Sequence, residues 1–194
     1  MELKKSQTIK NMARAFAGEC QAGARYQFLR KQSTQKQMPY LAGVLKILAT
    51  NEMAHAKVLF DKIVGCSKKI IENIEITAGY PFKCGAFDKR FEMEMENERS
   101  EAESIYPSFA VKAREEGFED IAELFDMIGE VEKKHTKINP QSGKKMRAGT
   151  PSASQKPGKS KCSMCGYEHS STEAWKTCPL CGAPQGAAEI QLDM

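Results

Sequence analysis

Acidic side chains and histidines interrupt the apolar stripes of four helical segments in this chain. On the first segment, Glu19 follows Phe16 by three residues and therefore lies on the same inward stripe. A carboxylate buried without a partner is very costly in free energy, so a fold that turns several of them inward must place positive charge among them. This requirement favours folds in which the helices meet around bound cations.

The hydrophobic periodicity predicts four long helices and therefore an all-α four-helix bundle. The helices are expected over residues 5–36, 39–64, 87–116 and 118–138. Pro107 lies inside the third helix, and we expect a kink there because proline lacks the N–H that a continuous helix needs. Residues 66–86 do not continue the pattern, and a crossover between two parallel helices would explain so long a connection.

Three pairs of potential metal ligands are spaced three residues apart, which places both members of a pair on one helix face. With Glu19 as a seventh member, they are Glu52 and His55, Glu98 and Glu101, and Glu132 and His135. Five glutamates carry five negative charges, which the four positive charges of two ferrous ions or the six of two ferric ions nearly balance. Oxygen and imidazole ligands suit iron or manganese better than a thiolate-seeking metal.

This ligand pattern is typical of ferritin-like di-iron carboxylate bundles, in which two helices each carry Glu-x-x-His and the other two supply Glu. The alternative is that the acids form a solvated helix face. Most acids of the third helix must do so, although Glu94 lies near the apolar stripe.

Four of the seven cysteines form two Cys-x-x-Cys-Gly sequences, separated by twelve residues. This spacing predicts a tetrahedral site made by Cys162, Cys165, Cys178 and Cys181. Both iron and zinc fit four thiolates, and the predicted di-iron site favours iron because a second redox centre would then have a partner. Redox-active disulfides are the less favoured alternative. Cys20, Cys66 and Cys84 are scattered, and an odd cysteine count argues against a disulfide framework.

These features divide the chain into a bundle over residues 1–138, a flexible basic linker over 139–161 and a small four-cysteine domain over 162–194. The linker is rich in Pro, Gly, Ser and Lys and would span about 25 Å as a flexible coil. The last domain, expected to be mostly irregular or β, is too small to be stable through apolar burial alone and needs a metal.

The distribution of charge suggests partners. No Asp or Glu occurs over residues 133–167, which contain many lysines, so this stretch is either a solvated segment or a docking surface for an acidic redox protein. No nucleic-acid motif accompanies the charge. No stretch approaches the ~20 apolar residues of a transmembrane helix, and the start lacks the apolar core of a secretory signal. We therefore expect a soluble, cytoplasmic protein without a membrane or nucleic-acid partner.

A series of motifs resembles the rubrerythrin family over nearly the whole chain. In order, they are Glu19-Cys-Gln-Ala-Gly-Ala-Arg25-Tyr26, Asn51-Glu52-Met-Ala-His55-Ala, Glu98-x-x-Glu101 before Tyr106-Pro-Ser-Phe, Glu132-x-x-His135, and the rubredoxin-like cysteine pairs. The resemblance implies a peroxidase that reduces hydrogen peroxide to water in oxidative-stress defence. It also implies that the irons are bound by Glu19, Glu52, Glu98, Glu101, Glu132 and His135.

The same resemblance implies that His55 replaces Glu101 as a ligand when the site is reduced. Exchanging a carboxylate for a neutral imidazole would offset the loss of two positive charges. Tyr26 and Tyr106 match tyrosines that orient the carboxylates, with ordinary core aromatics as the alternative.

The family also provides expectations about electron transfer. The four-cysteine iron would pass electrons from an external donor, rubredoxin or its reductase, to the di-iron site. In the family the receiving site belongs to a neighbouring subunit of a head-to-tail dimer, so a homodimer or higher oligomer is expected, although the linker length also permits a route within one chain. Departures from the family are the basic linker, Ser160 where an aromatic is usual, and the extended connection 66–86.

Two rival functions use the same features. A ferroxidase or iron-storage protein would need the bundle but no thiolate centre. A helical bundle with a structural zinc ribbon would bind partners and would be colourless.

Overall fold

The four predicted helices are confirmed in a computed structural model of the chain, which forms a ferritin-like bundle joined to a small antiparallel sheet. The helices are α1 (Gln7–Gln35), α2 (Pro39–Gly65), α3 (Phe87–Ser100), α4 (Tyr106–Glu115) and α5 (Glu119–His135), with α3 and α4 joined by one helical segment. The structure describes residues 2–36, 38–66, 71, 73–82, 85–138, 153–162, 164–173, 175–184 and 188–191.

Short turns join α1 to α2 and α4 to α5, and each of these pairs packs together along its length. The connection between Gly65 and Phe87 therefore links two helical hairpins, which agrees with the predicted crossover. None of the described helices is long and apolar enough to cross a lipid bilayer.

The helical segment Glu101–Ile105, which we call the π segment, has the wider turn of a π-helix. The N–H of Tyr106 donates to the carbonyl of Glu101, five residues earlier. Pro107 follows directly and has no N–H to give, so the α-helical bonding pattern fails here. The kink predicted at Pro107 is thus realised as a wide turn that begins at a candidate ligand.

The start of α1 is held by the far end of α4. The Ser6 hydroxyl accepts a hydrogen bond from the N–H of Ile9 at 3.1 Å, as a helix cap does. The carboxylate of Glu116 accepts from the N–H of Gln7 at 3.1 Å and from the N–H of Thr8 at 2.8 Å. These bonds satisfy N–H groups that have no partner inside the helix, and they join two distant parts of the bundle.

The small domain contains β1 (Ala153–Cys162), β2 (Glu168–Glu173) and β3 (Ala188–Gln191), with β1 in the middle and both pairings antiparallel. Within the segment predicted as a linker, residues 139–152 lie outside the described residues, whereas residues 153–161 belong to β1. Main-chain bonds on both sides hold this strand, and such bonds do not depend on an apolar pattern. A polar sequence therefore became the central strand.

One hydrophobic core continues from the bundle into the small domain. Phe125 and Ile128 of α5 belong to the same buried cluster as Leu180 and three of the four candidate cysteine ligands. Because the two parts share a core, the small domain packs on the bundle near the candidate ligands of α5.

Candidate metal centres

Six of the seven predicted carboxylate and histidine ligands converge in the centre of the bundle. Their ligand atoms form two groups, and within each group all atoms lie within 4.8 Å of one another. The first group is Glu19, Glu52, His55 and Glu132, and the second is Glu52, Glu98, Glu132 and His135. Every member is buried, and Glu52 and Glu132 belong to both groups. Two adjacent metal positions bridged by two shared carboxylates would account for this arrangement.

The Nδ1 atoms of both histidines face the carboxylates. Nδ1 of His135 lies 2.7 Å from Glu132 and 3.1 Å from Glu98. Nδ1 of His55 lies 2.9 Å from Glu132 and 3.3 Å from Glu19. In both helices the Glu-x-x-His spacing turns the histidine and its own glutamate to the same side, as the sequence predicts.

The electrostatics of the cluster show its need for positive charge. Burial, followed by repulsion from neighbouring carboxylates, raises the pKa of Glu19 and of Glu98 well above the usual range. Although burial lowers the pKa of His135, attraction to Glu132 and Glu52 dominates and raises it well above its usual value. Without a metal, these raised pKa values favour the protonated forms of the carboxyl and imidazole groups, which reduces the excess negative charge of the cluster.

Unpaired oxygen atoms indicate that the site fits metal ions. Both carboxylate oxygens of Glu52 and both of Glu132 are buried, and although Nδ1 of His55 and of His135 lies near them, none accepts a well-directed hydrogen bond from the described residues. Burying four oxygens without such bonds is unfavourable, whereas a multivalent cation between the groups would satisfy them all. The residues present therefore fit a pair of metal ions bound by oxygen and nitrogen.

Glu101 is the predicted ligand that the structure places outside both groups. It begins the π segment and is partly buried. Its Oε1 lies 3.9 Å from the point where a Cβ atom on Gly18 would stand. Burial, followed by repulsion from Glu132 and Glu52, raises the pKa of Glu101 well above its usual value, so its carboxylate still lies near the cluster. The exchange of Glu101 for His55 that the resemblance implies stays a prediction.

Two buried tyrosines hold carboxylates of the cluster. The hydroxyl of Tyr26 donates to Glu98, and that of Tyr106 donates to Glu19. Gly129 permits this position of Tyr106, because a Cβ atom on Gly129 would stand 3.2 Å from the Cβ of the tyrosine. The tyrosines are therefore core aromatics that also make the contacts predicted for orienting residues.

The four predicted cysteines form one cluster, with all four sulfurs within 4.8 Å of one another. Sγ of Cys162 lies 3.7 Å from that of Cys181, and Cys165 and Cys178 are also 3.7 Å apart. A tetrahedron with metal–sulfur bonds of about 2.3 Å has edges of roughly 3.8 Å, whereas a disulfide bond is only about 2.05 Å long. The cluster thus fits a tetrahedral metal site.

Local backbone turns build this cysteine site. Gly166 and Gly182 have φ angles of +76° and +72°, which glycine adopts without strain. Their N–H groups bond to the carbonyls of Cys162 and Cys178, both at 2.9 Å. Hydrogen bonds from the neighbouring thiols lower the pKa of Cys162 to about 2, so the cluster favours a thiolate even without metal.

The two candidate centres touch through His55. Its Nε2 lies 2.9 Å from the carbonyl oxygen of Cys165. A carbonyl can only accept, so Nε2 carries a proton, and Nδ1 is the nitrogen that would bind a metal once it holds no proton of its own. Residue types alone do not reveal this contact, because its acceptor is a main-chain atom.

Asn51 is a functional candidate that sequence reasoning missed. It is buried directly before Glu52, its Nδ2 lies 3.2 Å from Nε2 of His135, and its Oδ1 has no partner among the described residues. When Nδ1 of His135 binds a metal, Nε2 carries the proton and requires an acceptor. A half-turn of the amide brings Oδ1 to that position, so Asn51 is suited to orient this histidine. The sequence signal that could have identified Asn51 is its position on the apolar stripe of α2, where a polar residue is unexpected.

Glu94 and the remaining cysteines complete the comparison with the sequence. Glu94 is buried and accepts a hydrogen bond from Nε of Arg25 at 2.8 Å, so it is paired rather than solvated. Cys20 and Cys66 are partly buried and belong to neither candidate centre. Cys84 lies outside the described residues.

Comparisons with known proteins agree with both centres. The family model described as rubrerythrin matches residues 10–139, and the model of the rubrerythrin rubredoxin-like domain matches residues 161–187. Rubrerythrin of Nitratidesulfovibrio vulgaris is 34% identical over 190 residues, which cover 97% of this chain and 96% of that protein. Rubrerythrin of Clostridium perfringens is 31% identical over 193 residues and has the same coverage.

Solved structures of nigerythrin share the fold. One in a mixed-valence state has a TM-score of 0.63 and 20% identity, covering 95% of this chain and 86% of that one. Another, described as fully reduced and all ferrous, has a TM-score of 0.61 and 19% identity, covering 97% and 91%. Helix order, the carboxylate cluster, the cysteine site and the family models lead to one conclusion: this chain belongs to the rubrerythrin family.

Proposed function

We propose that this chain is a non-haem di-iron peroxidase that reduces hydrogen peroxide to water with electrons from its four-cysteine centre. The observation that carries the proposal is the 2.9 Å contact between the Cys165 carbonyl and His55, which joins the two candidate centres. A storage or ferroxidase bundle has no use for a thiolate site attached to one of its ligands. The contact therefore favours an enzyme whose bundle receives electrons.

The proposed iron ligands are Glu19, Glu52, Glu98, Glu101, Glu132 and His135, with His55 replacing Glu101 in the reduced site. Two irons held by these residues would supply the two electrons that reductive cleavage of an O–O bond requires. The protein contributes the geometry. Tyr106 fixes the direction of Glu19, Tyr26 fixes that of Glu98, and the surrounding core excludes water.

The proposed electron route follows the contacts between the centres. An external redox protein reduces the four-cysteine site, and electrons then pass through the Cys165 main chain and His55 towards the bundle. The contact between Cys165 and His55 that supports this route lies within one chain. In a homodimer that exchanges its small domains, the same contact would form between Cys165 of one subunit and His55 of the other. The proposed route therefore requires this contact and does not depend on whether it forms within or between chains.

Iron is the proposed metal at both centres. The oxygen and imidazole ligands of the bundle suit iron, and one related fold is described as all ferrous. A rubredoxin-like domain with iron would absorb visible light through its thiolates, whereas zinc would leave it colourless. The reducing cytoplasm is the proposed location, since none of the described cysteines forms a disulfide.

Stopped-flow oxidation of the fully reduced protein tests the proposal. We expect hydrogen peroxide to oxidise both centres much faster than dioxygen does, with visible absorption of ferric thiolate appearing during the reaction. The reverse order would support a ferroxidase and contradict the peroxidase. A protein that contains zinc and remains colourless would contradict the electron route.

A matched pair of cysteine variants tests the role of the small domain. Cys162→Ser should retain one turnover of the reduced bundle but lose repeated turnover with an external reductant. Cys66→Ser changes a cysteine outside both centres and should retain repeated turnover. Equal turnover in the two variants would show that the four-cysteine site is not the electron source.

A further inference from the structure

A cavity of about 470 Å³ lies beside Glu101, between α1, the π segment and residues 77–81 of the long connection. We call it the side cavity. Tyr106, whose hydroxyl donates to Glu19 of the candidate metal site, and Glu101, the predicted ligand outside both groups, form part of its wall. Thr77, Gly79 and Ser104 are lining residues that are exposed, so the opposite side reaches solvent. The side cavity thus extends from solvent to Glu101 and to the tyrosine that contacts Glu19.

The side cavity is much larger than hydrogen peroxide requires. Two water-sized groups occupy on the order of 60 Å³, whereas pockets for small organic ligands measure roughly 300–1,000 Å³. Ala15, Ile105 and Phe109 provide apolar surface, while Arg25 and Asn97 provide polar groups. A mixed lining of this kind suits a molecule with an organic group at one end and a polar group at the other.

Tyr80 brings the long connection against the side cavity. Its hydroxyl donates to the carbonyl of Arg14 on α1 at 3.0 Å. A ring carbon of Tyr80 lies 3.9 Å from the Cβ position of Gly18, the same position that Glu101 approaches to 3.9 Å. The hydrogen bond therefore fixes the ring in the wall of the side cavity, where the ring and the Glu101 carboxylate both lie against Gly18.

We infer that the side cavity admits organic hydroperoxides as substrates and that Tyr80 sets their maximum size. This inference rests on the proposed function and adds a substrate class to it. The hydroperoxide ROOH takes up two electrons from the reduced centre and two protons, its O–O bond breaks, and the products are the alcohol ROH and water. The organic group stays in the side cavity while the peroxide oxygens approach the metal site past Glu101.

The test compares cumene hydroperoxide with hydrogen peroxide by measuring kcat/KM for each with the same metal-loaded protein and reductant. For the unchanged chain, the two values should agree within about tenfold. Ser104→Trp fills the side cavity from its exposed edge, and the ratio of cumene hydroperoxide to hydrogen peroxide should fall at least about tenfold. Glu103→Trp is the matched control, because it adds the same bulk to an exposed neighbour that does not line the side cavity.

A second measurement is the Kd of cumyl alcohol, the product, for the protein without metal, by calorimetric titration. Ser104→Trp should weaken this binding at least about tenfold, and Glu103→Trp should leave it unchanged.

Variants of Tyr80 test the size limit in the opposite direction. Tyr80→Ala widens the side cavity and should raise the same ratio by about tenfold, whereas Tyr80→Phe keeps the ring and should leave the ratio unchanged. Reduction of hydrogen peroxide without reduction of cumene hydroperoxide would overturn the inference and leave the proposed function intact. Unaltered ratios in Ser104→Trp and Tyr80→Ala would also overturn it. A chain that reduces neither peroxide would overturn the proposed function itself.

Discussion

Gly166 lies so close to Asn51 that a Cβ atom on the glycine would stand 2.7 Å from the Nδ2 of the asparagine. Gly166 follows the cysteine whose carbonyl meets His55, and Asn51 meets His135. The turn of the first cysteine pair therefore contacts His55 directly and is connected to His135 through Asn51. This close fit makes the junction between the two centres sensitive to a single methyl group.

Gly166→Ala should slow electron transfer from the four-cysteine site to the bundle by roughly tenfold or more, because the added methyl group displaces the turn from His55. The measurement is the rate at which the thiolate absorption reappears after reduced protein meets peroxide. Gly182→Ala is the control, since it has a similar φ of +72° but meets no atom within 4 Å. Equal rates in the two variants would show that backbone strain, not contact with the bundle, explains the effect.

Asn51→Leu should weaken ferrous iron binding by about 10- to 100-fold, because it removes the amide that can accept from Nε2 of His135. Asn51→Asp should instead lower the reduction potential of the bundle site, since a carboxylate makes the imidazole a stronger electron donor. Potentiometric titration followed by the signal of the mixed-valence site measures this change. Thr50→Val alters the neighbouring residue, whose hydroxyl bonds within α2 to Lys46, and should change neither quantity.

Loading the protein with ferrous iron at pH 7 should release on the order of two protons per pair of ions. In the metal-free cluster, burial and neighbouring carboxylates raise the pKa of Glu98, so it holds a proton that iron must displace. Calorimetric titration in buffers of different ionisation enthalpy measures the release. Glu98→Gln should lower the count by about one, whereas Glu96→Gln, on an exposed position of α3, should not. The same count for both variants would contradict the predicted protonation.

Glu116→Gln should lower the free energy of unfolding by about 1–2 kcal/mol at pH 7. Burial raises the pKa of Glu116, but hydrogen bonds from Thr8 and Gln7 outweigh it and lower the pKa below 4.5. A lowered folded-state pKa stabilises the protein above the unfolded value and ceases to do so as pH falls through the folded value. Urea unfolding from pH 7 to pH 4 should therefore show the two proteins converging below about pH 4.5. A difference that does not change with pH would contradict the role of the charged carboxylate.

The bundle and most of its candidate ligands could be predicted because their signals are local. Glu132 and His135 are three residues apart on an apolar stripe, and the same rule finds Glu52 and His55. The π segment was visible only as an expected kink at Pro107, since the extra backbone turn depends on how the whole helix packs. Glu101 could be identified as a candidate, but its position outside both groups depends on a side-chain conformation that residue spacing does not determine.

The junction between the centres was less accessible to sequence reasoning. The Cys165 carbonyl belongs to the main chain, and every residue has one, so no residue type indicates its role. Its partner His55 is 110 residues away in the chain. The strand over residues 153–161 was missed for a related reason, because main-chain pairing placed a segment rich in lysine and serine between two neighbours. Asn51 was within reach, as another polar residue on a stripe already recognised.

Glu52 and Glu132 each belong to both ligand groups, so metal binding at either position depends on the same two carboxylates. The first ion to bind would order carboxylates that the second ion also needs, so we expect filling to be cooperative. A single substitution at either glutamate would therefore remove a candidate ligand from both metal positions. A change at Glu19 or at Glu98, each of which belongs to one group only, would instead remove a candidate ligand from one position and leave the other group complete.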